Sequence, residues 1–552
     1  MKLRYLKLNT RFRSLPAGFE IIFQTGRLHH VEMETFSPFC FVGLNGSGKS
    51  NILQALSNIF YHLECIYLEY RPQGFEQTRN YHNGFNSTIC YPDAYELGYY
   101  QYVNNEIVEI NISKDSNKRP IIKEGETIIE SFRVKDYLPD LVVGYSSGEN
   151  EIISLPFLKM RFLHLDEYLH KLSNQLGYNR PEGRMVYIDK EYSQAILITN
   201  FLIQESKVLE PVMRVVGIKN IQSFQLVIRQ NRKIGLSSEY LKSTTEKNKT
   251  KELTTLINDT ITKFKSCSTS YHYDESEEAL YLDYWINDAT KKAFRLHFGD
   301  DALELFRAFQ ILFTLNLGHV NRETKTQLYH SNSLYVNEIV PTLALDQRVV
   351  KFRDFLIEKK GIKETILNKS LSDGEHQFLH TMGICLLLRK SSVLFLFDEP
   401  ETHFNPSWRA KFISTLQSCL KQEEVNISRR ISHELLITTH SPFIISDCKP
   451  DKVIIFSKNG NNVSVSTAAK KRFNTFGTSV NIITEEIFDK DESIGDLSLE
   501  LINEIKNRVY NTTEDVQQAK EDSRFVGESS QKTLLFMKLL QIEEKIRTQN
   551  ND

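Results

Sequence analysis

Residues 39–50 read FCFVGLNGSGKS, and they narrow the possible folds further than any other stretch. Phe39 to Val42 are four apolar residues in a row, which predicts a short strand buried on both faces. Gly43-Leu-Asn-Gly-Ser-Gly-Lys-Ser50 then matches the phosphate loop G-x-x-x-x-G-K-[ST] in full. Beyond it, Ile52, Leu53, Leu56, Ile59, Phe60 and Leu63 fall on one helical stripe. A chance Gly-rich turn is the bland alternative, and the strand before and helix after argue against it. A strand–loop–helix of this kind belongs to an α/β sheet, with the loop at the strand's carboxyl end. Gly43, Asn45, Gly46, Ser47, Gly48 and Asn51 shape a cradle of N–H groups for phosphate oxygens. Lys49 brings a point charge to the outer phosphates, and the Ser50 hydroxyl is a candidate Mg²⁺ ligand.

Two later strings share a Ser-x-Gly-Glu core: YSSGENE at 145–151 and LSDGEHQ at 371–377. Each is followed by a segment ending in Asp-Glu. After LSDGEHQ comes an apolar helix with a Lys/Arg exit, then VLFLFDEP. Val393 to Phe397 predicts a second buried strand, with Asp398 and Glu399 at its carboxyl end, where open α/β sheets place ligands. Asp398 is the expected Mg²⁺ partner. Glu399 is the expected base for an attacking water, an assistance typically contributing about 10²–10⁴-fold. After YSSGENE, by contrast, Leu158, Phe162, Leu165, Leu169 and Leu172 repeat at helical spacing. Asp166 and Glu167 should therefore lie along a helix and not serve as a catalytic pair. Both Ser-x-x-Glu strings also fit a capping box that merely starts a helix. For 145–151 the expectation is that cap, or a loop peculiar to the family. For 371–377 it is a cap with an anion site added, formed by Ser372, Gly374 and Glu375.

A third strand is expected at Leu435 to Thr438, ending in Thr439-His440-Ser441-Pro442. A lone His is more often a surface or core residue. Here His440 follows Asp398-Glu399 by about 40 residues, with an intervening helix from Trp408 to Leu420, and that order makes it a candidate for the γ-phosphate or the attacking water.

The bulk numbers bound the rest. A net charge of −2 offers no overall basic field for nucleic acid. Seven scattered cysteines without a C-x-x-C pair suggest reduced thiols. With neither a signal-peptide core nor an apolar run of membrane length, a cytoplasmic protein with no membrane partner is expected.

Phosphate loop, LSDGE, VLFLFDEP and TTHSP, in this order, resemble the ATP-binding-cassette ATPases. GLNGSGKSNILQAL, DEPETHFNP and the start KLRYLKLNTRFRSL are most similar to the heads of RecF, structural-maintenance-of-chromosomes (SMC) and OLD-type proteins. The resemblance implies ATP and Mg²⁺ as ligands and a homodimer, possible further assembly aside, that sandwiches two ATP molecules. Ser372 and Gly374 of one copy would contact the γ-phosphate held by Gly46, Gly48, Lys49 and Ser50 of the other. Asn405 stands where transporters carry the Asp of the D-loop, which leaves its contacts open. Gln73 is a candidate for the Q-loop, although it comes early. Arg11 or Arg13 would approach the adenine or phosphates, with surface solvation the equal alternative. The chain's length and GYSSGENEI look like the ATPase subunit of Septu anti-phage systems. That family pairs its ATPase with an HNH nuclease and in some systems with a retron reverse transcriptase and its RNA/DNA.

The expected fold is an α/β ATPase head of two lobes, with a mostly helical insertion and a small C-terminal α/β extension. Residues 1–150 would form lobe I, 151–330 the insertion, 331–460 lobe II and 461–552 a partner-docking extension. No heptad register persists in 151–330, so a compact insert is expected in place of the long coiled coil of SMC proteins. The Lys-rich segment at 232–252 reads as an exposed loop, with a nucleic-acid or partner contact as the alternative. KVIIFSKNGNNVSVSTA reads as a hairpin. The final helix, KTLLFMKLLQIEEKI, is amphipathic and either packs on its own domain or docks a partner. OLD nucleases carry clustered acidic metal ligands in this region. None stands at strand ends here, so no nuclease activity is expected of the chain itself. Three functions follow: an ATP-hydrolysing sensor that restrains a separate nuclease, a RecF-like DNA clamp, and, least favoured by so large an insertion, a transporter's ATPase.

Overall fold

A computed structural model describes the whole chain except residues 69, 71–86, 148–151, 179, 230–232, 236–249, 334–339, 341–342, 345, 422–428, 461, 491–493 and 550–552. The chain divides into two units, 1–477 and 478–552.

The larger unit is built on a seven-stranded sheet in the order 462–467, 453–459, 39–43, 433–438, 393–398, 141–146, 185–187. Every adjacent pair is parallel except the first, an antiparallel hairpin. The strands Phe39–Gly43 and Val393–Asp398 are buried at every position, as their unbroken apolar runs require. The hairpin Val453–Asn459 and Asn462–Thr467 pairs with strand Phe39–Gly43. It thus belongs to the nucleotide sheet, and the break between units falls after Gly477, not at 460.

A second sheet of six antiparallel strands comes from lobe I: Phe19–Ile22, Lys2–Leu8, Tyr95–Val103, Glu106–Lys114, Ile121–Glu124 and Thr127–Ile128. The helix Lys49–Tyr67 is enclosed between the two sheets. It is buried on nearly all sides rather than on one stripe, with His62 and Glu64 among its buried residues. Burial holds His62 down to about 3 and Glu64 up to about 7. The helix Ser154–Ser173 places Phe157, Met160 and Leu163 in the same core, so it closes the ATPase lobe rather than opening an insertion.

Helices outweigh strands in the rest of 151–330, yet a five-stranded antiparallel sheet runs through it. Its order is Ser270–Asp274, Ala279–Trp285, Ile218–Arg229, Val350–Lys359, Ile366–Leu367, so its last two strands come from the expected lobe II. Strand periodicity at Ala279–Trp285 is masked because both faces are buried, Leu280, Leu282 and Tyr284 on one and Ala279 and Tyr281 on the other.

The described elements of unit 478–552 are the helices Val480–Phe488, Asp496–Lys506, Thr513–Asp522 and Ser530–Gln549. With the hairpin gone to the main sheet, the expected α/β extension is helical. Leu535, Leu539 and Ile546 of its last helix fill a small core with Ile502, Ile505 and Val516, while Leu534, Met537 and Leu540 are exposed. All seven cysteines are free and buried. Among the described residues no helix is long and apolar enough to cross a membrane.

Candidate functional site

Four parallel strands, ending at Gly43, Asp398, Thr438 and Ser146, bring their carboxyl ends to one edge of the large sheet. Gly43 turns there with φ +136°, and a Cβ would stand 2.3 Å from the Phe456 carbonyl oxygen, so the position excludes any side chain. Asn45 and Gly46 form the exposed crest of the loop. Gly48 is the N-cap of helix Lys49–Tyr67 and supplies no side-chain bond, so the first-turn N–H groups face outward for an anion. Ser47 Oγ is buried without a hydrogen-bond partner among the described residues. Asn51 Nδ2 donates instead to Ser14 Oγ (2.7 Å), which ties the loop to the N-terminal segment. Lys49 is 5% exposed. Its Nζ donates to the carbonyls of Gly43 (3.0 Å) and Leu44 (3.1 Å), which uses two of three protons. Burial lowers the Lys49 pKa, and the charges of Glu399 and Asp398 partly restore it.

Asp398 is buried at the tip of the neighbouring strand but one. Three hydroxyls converge on it: Ser50 Oγ (2.7 Å) and Thr438 Oγ1 (2.6 Å) on Oδ1, and Ser146 Oγ (3.4 Å) on Oδ2. Magnesium typically takes one or two carboxylates and fills its shell with phosphate oxygens and water. The Ser50 hydroxyl and Asp398 carboxylate fit that share. Among the described residues no group of three or more His, Cys, Asp or Glu forms an all-protein cage. Hold on the ion would thus depend on the nucleotide.

Glu399 follows with φ +48°, a left-handed conformation that costs a non-glycine residue about 1 kcal/mol or more. It is locked there by its N–H, which donates to Thr438 Oγ1 (3.0 Å). The turn aims the carboxylate off the strand axis. Burial, then repulsion from Asp398, raises its pKa, and Lys49 opposes the shift. His440 Nε2 stands 3.7 Å from Glu399 Oε1. Burial, then Lys49, holds His440 down to about 4, so at neutral pH the imidazole is uncharged and the contact is not an ion pair.

The LSDGEHQ string begins the helix Asp373–Leu387. Ser372 is its N-cap, and the full capping box is present: Glu375 N–H donates to Ser372 Oγ (3.3 Å) and Ser372 N–H to Glu375 Oε2 (2.9 Å). Lys359 pairs with the other Glu375 oxygen. A Cβ on Gly374 would stand 2.7 Å from the His403 carbonyl oxygen, so this glycine lets the helix start lie against the segment after Glu399. Ser372 is exposed, and no hydrogen bond joins Ser372, Gly374 or Glu375 to the phosphate loop among the described residues.

The first twin string behaves differently. Ser146 ends the strand Leu141–Ser146, in register with Asp398. Ser147 N–H donates to the Asp398 carbonyl (3.1 Å), and its hydroxyl meets Thr402 Oγ1 at 2.8 Å. The next helix starts only at Ser154, without a side-chain cap. The capping expectation for Ser146 is therefore corrected: the string opens from the sheet edge beside Asp398. Its Gly148 and Glu149 lie outside the described residues, as does Gln73. Asp166 and Glu167 do lie along a helix. Asp166 bonds Lys325 and the Tyr329 hydroxyl (2.8 Å), and Glu167 pairs with Lys171 (2.9 Å).

Asn405 acts as the N-cap of Pro406–Leu420, accepting from Trp408 N–H at 2.9 Å. Arg11 Nε donates to the Arg13 carbonyl (3.2 Å). Arg13 donates to Gln54 Oε1 (3.3 Å) and the Asn332 carbonyl (2.6 Å) and lies over the Tyr91 ring. Thr438, Ser146 and Glu401 are site residues that the sequence reading missed. DEPE, with its second acid two residues after Glu399, was the available signal for the last.

Residues 274–446 match a protein-family model described as "AAA domain, putative AbiEii toxin, Type IV TA system". That stretch is similar to an AAA-type ATPase domain. The match starts after the phosphate loop and spans the LSDGEHQ string, Asp398, Glu399 and His440. No curated protein matches the chain. Solved structures to which the chain is similar include an SMC head domain from Thermotoga maritima (10% identity, 85% of this chain and 99% of that one, TM-score 0.31). An SMC head bound to the C-terminal winged-helix domain of ScpA aligns at 12% identity over 86% and 99%, TM-score 0.32. The recombination mediator RecF with a bound ATP analogue aligns at 11% over 84% and 97%, TM-score 0.30. The chemistry rests on the geometry of the sheet edge.

Proposed function

We propose that the protein hydrolyses ATP at this sheet edge and that the site is completed by Ser372 and Gly374 of a second copy. The observation that carries the reading is the meeting of Lys49, Ser50, Asp398, Glu399 and His440 at adjacent strand ends. The N–H groups after Gly48 and the Lys49 ammonium hold the triphosphate. Ser50 and Asp398 would hold a magnesium ion, which would supply neutralisation of the phosphate charge. Glu399 takes the proton of an attacking water. The water oxygen bonds to the γ-phosphorus, the bond to the bridging oxygen breaks, and ADP leaves. Neutral His440 donates to the γ-phosphate or to the water. An exposed helix start at Ser372, with its cap satisfied internally, supports a role toward another molecule's phosphates.

We further propose that this ATPase is the sensor and regulator of a separate HNH-type nuclease in a Septu-like, in some cases retron-linked, anti-phage system. The matched family's description, a toxin of a toxin–antitoxin system, supports a conflict role over housekeeping. A RecF-like DNA clamp is the alternative. Purification of the native complex separates them. A nuclease that copurifies without DNA supports the first reading. DNA-stimulated ATPase with steeply salt-dependent DNA binding and no nuclease supports the second.

A further inference from the structure

The segment after Glu399 contains a second acid that the hydrolytic mechanism does not use. Glu401 is 4% exposed, deeper than Glu399, and lies at the same sheet edge. The Thr439 hydroxyl donates to Oε1, while Oε2 has no hydrogen-bond partner among the described residues. Thr439 Oγ1 in turn accepts from the Ser441 N–H at 2.9 Å. These two bonds bracket His440: one residue before it is tied to Glu401, and the residue after it is tied to Thr439. Thr439 N–H is fixed separately on the Phe41 carbonyl (3.1 Å), so the turn hangs from the phosphate-loop strand as well.

We propose that Glu401 is a positioning residue, which holds the Thr439–His440–Ser441 turn through the Thr439 hydroxyl and so sets where the His440 imidazole stands relative to Glu399 and the γ-phosphate. This deepens the reading of the site as an ATPase and rests on it. A buried carboxyl with a bare oxygen is costly, and an amide, although its oxygen can accept from the Thr439 hydroxyl, does not reproduce a bond that changes with protonation. While Glu401 is ionised it can only accept, so the Thr439 proton points at it and the oxygen lone pairs are left for Ser441 N–H. Once protonated, Glu401 can donate, and the Thr439 proton is free to turn away. Burial raises the carboxyl to about 7. The charged and titratable groups around it are Glu399 on its own loop, Arg409 on the helix Pro406–Leu420, Cys40 on the phosphate-loop strand and Tyr145 on the strand Leu141–Ser146. Arg409 opposes the rise, although no salt bridge joins it to Glu401 among the described residues.

The test compares the full chain with Glu401→Gln and Thr439→Val. Steady-state kinetics with Mg-ATP should show kcat falling roughly tenfold in both, KM changing less than twofold, and the double variant no worse than either alone. The wild-type kcat should inflect near pH 7 and the Glu401→Gln kcat should not. His440 resonances in histidine-labelled protein, assigned with His440→Gln, should shift through the same pH range in wild type and stay flat in Glu401→Gln. An unchanged kcat, additive losses, or a His440 shift that persists in Glu401→Gln overturns the proposal. If wild type has no ATPase activity, the ATPase reading fails, and the His440 resonances still decide the role of Glu401.

Discussion

The Ser-x-Gly-Glu string occurs twice, and the two copies sit in opposite local settings. At 146 it follows a strand, so its serine hydroxyls point along the sheet edge into the Asp398 network. At 372 it precedes a helix, so its serine and glutamate close a capping box on an exposed surface. The same residues therefore line a sheet edge in one place and cap an exposed helix start in the other. What decides is the flanking element. A strand end spends its backbone groups on neighbours and leaves the side chain to fill the edge, whereas a helix start leaves N–H groups open that a serine can cap or an anion can meet. Asp398-Glu399 and Asp166-Glu167 show the same contrast: a strand tip gathers hydroxyls around a carboxylate, and a helix face pairs its acids with Lys325 and Lys171.

The largest break would come from the sheet edge. Lys49→Ala should abolish nucleotide binding, read by calorimetry. Glu399→Gln should keep ATP bound while turnover drops about 10²–10⁴-fold. Should Asp166→Ala or Glu167→Gln give those kinetics instead, the assignment of the two acid pairs is reversed. With Asp398-Glu399 as the catalytic pair, Asp166→Ala harms stability alone: taking the carboxylate from buried Lys325 should cost about 3–5 kcal/mol in denaturant unfolding, with kcat of the folded fraction unchanged.

A pH effect separates the two acids of DEPE. Glu401 has its carboxyl raised in the folded state, from 4.5 to about 7. The protonated form is thus favoured by folding. Its contribution is fully present below pH 4.5 and is lost as pH rises through 7. Glu401→Gln should match wild type in thermal stability near pH 4 and exceed it near pH 8, by on the order of 3 kcal/mol if the whole shift is realised. The smallest effects sharpen the twin-turn contrast. Ser146→Ala should raise the magnesium concentration for half-maximal turnover about tenfold, because it removes a hydroxyl that orients Asp398. Ser372→Ala should leave that magnesium dependence alone and cost about 1 kcal/mol as a lost cap.

What the sequence made legible follows from range. The phosphate loop, the Asp398-Glu399 tip, the His440 strand and the Ser372 cap are each written in fewer than about 20 consecutive residues, because a strand, its turn and a helix start are local. The hydroxyl shell of Asp398 was hidden, since it needs Ser146, 252 residues away, to arrive by parallel strand pairing. The antiparallel sheet within the insertion was hidden for a related reason: Ile218–Arg229 finds its partners at 279–285 and 350–359, and burial on both faces of Ala279–Trp285 erases the alternation that marks a strand there. Asn405 read as an altered D-loop, and its capping bond supplies a plain local use for the amide.

The most direct test of the two-copy site mixes chains that each lack one half of it. Lys49→Ala and Ser372→Arg should each be inactive alone. After mixing and exchange, half the pairs are mixed and each holds one intact site, so ATPase activity should return to about a quarter of wild type. A mixture that stays inactive although both chains pair, or a wild-type chain that hydrolyses ATP while sedimenting as a monomer, contradicts a site shared between two copies.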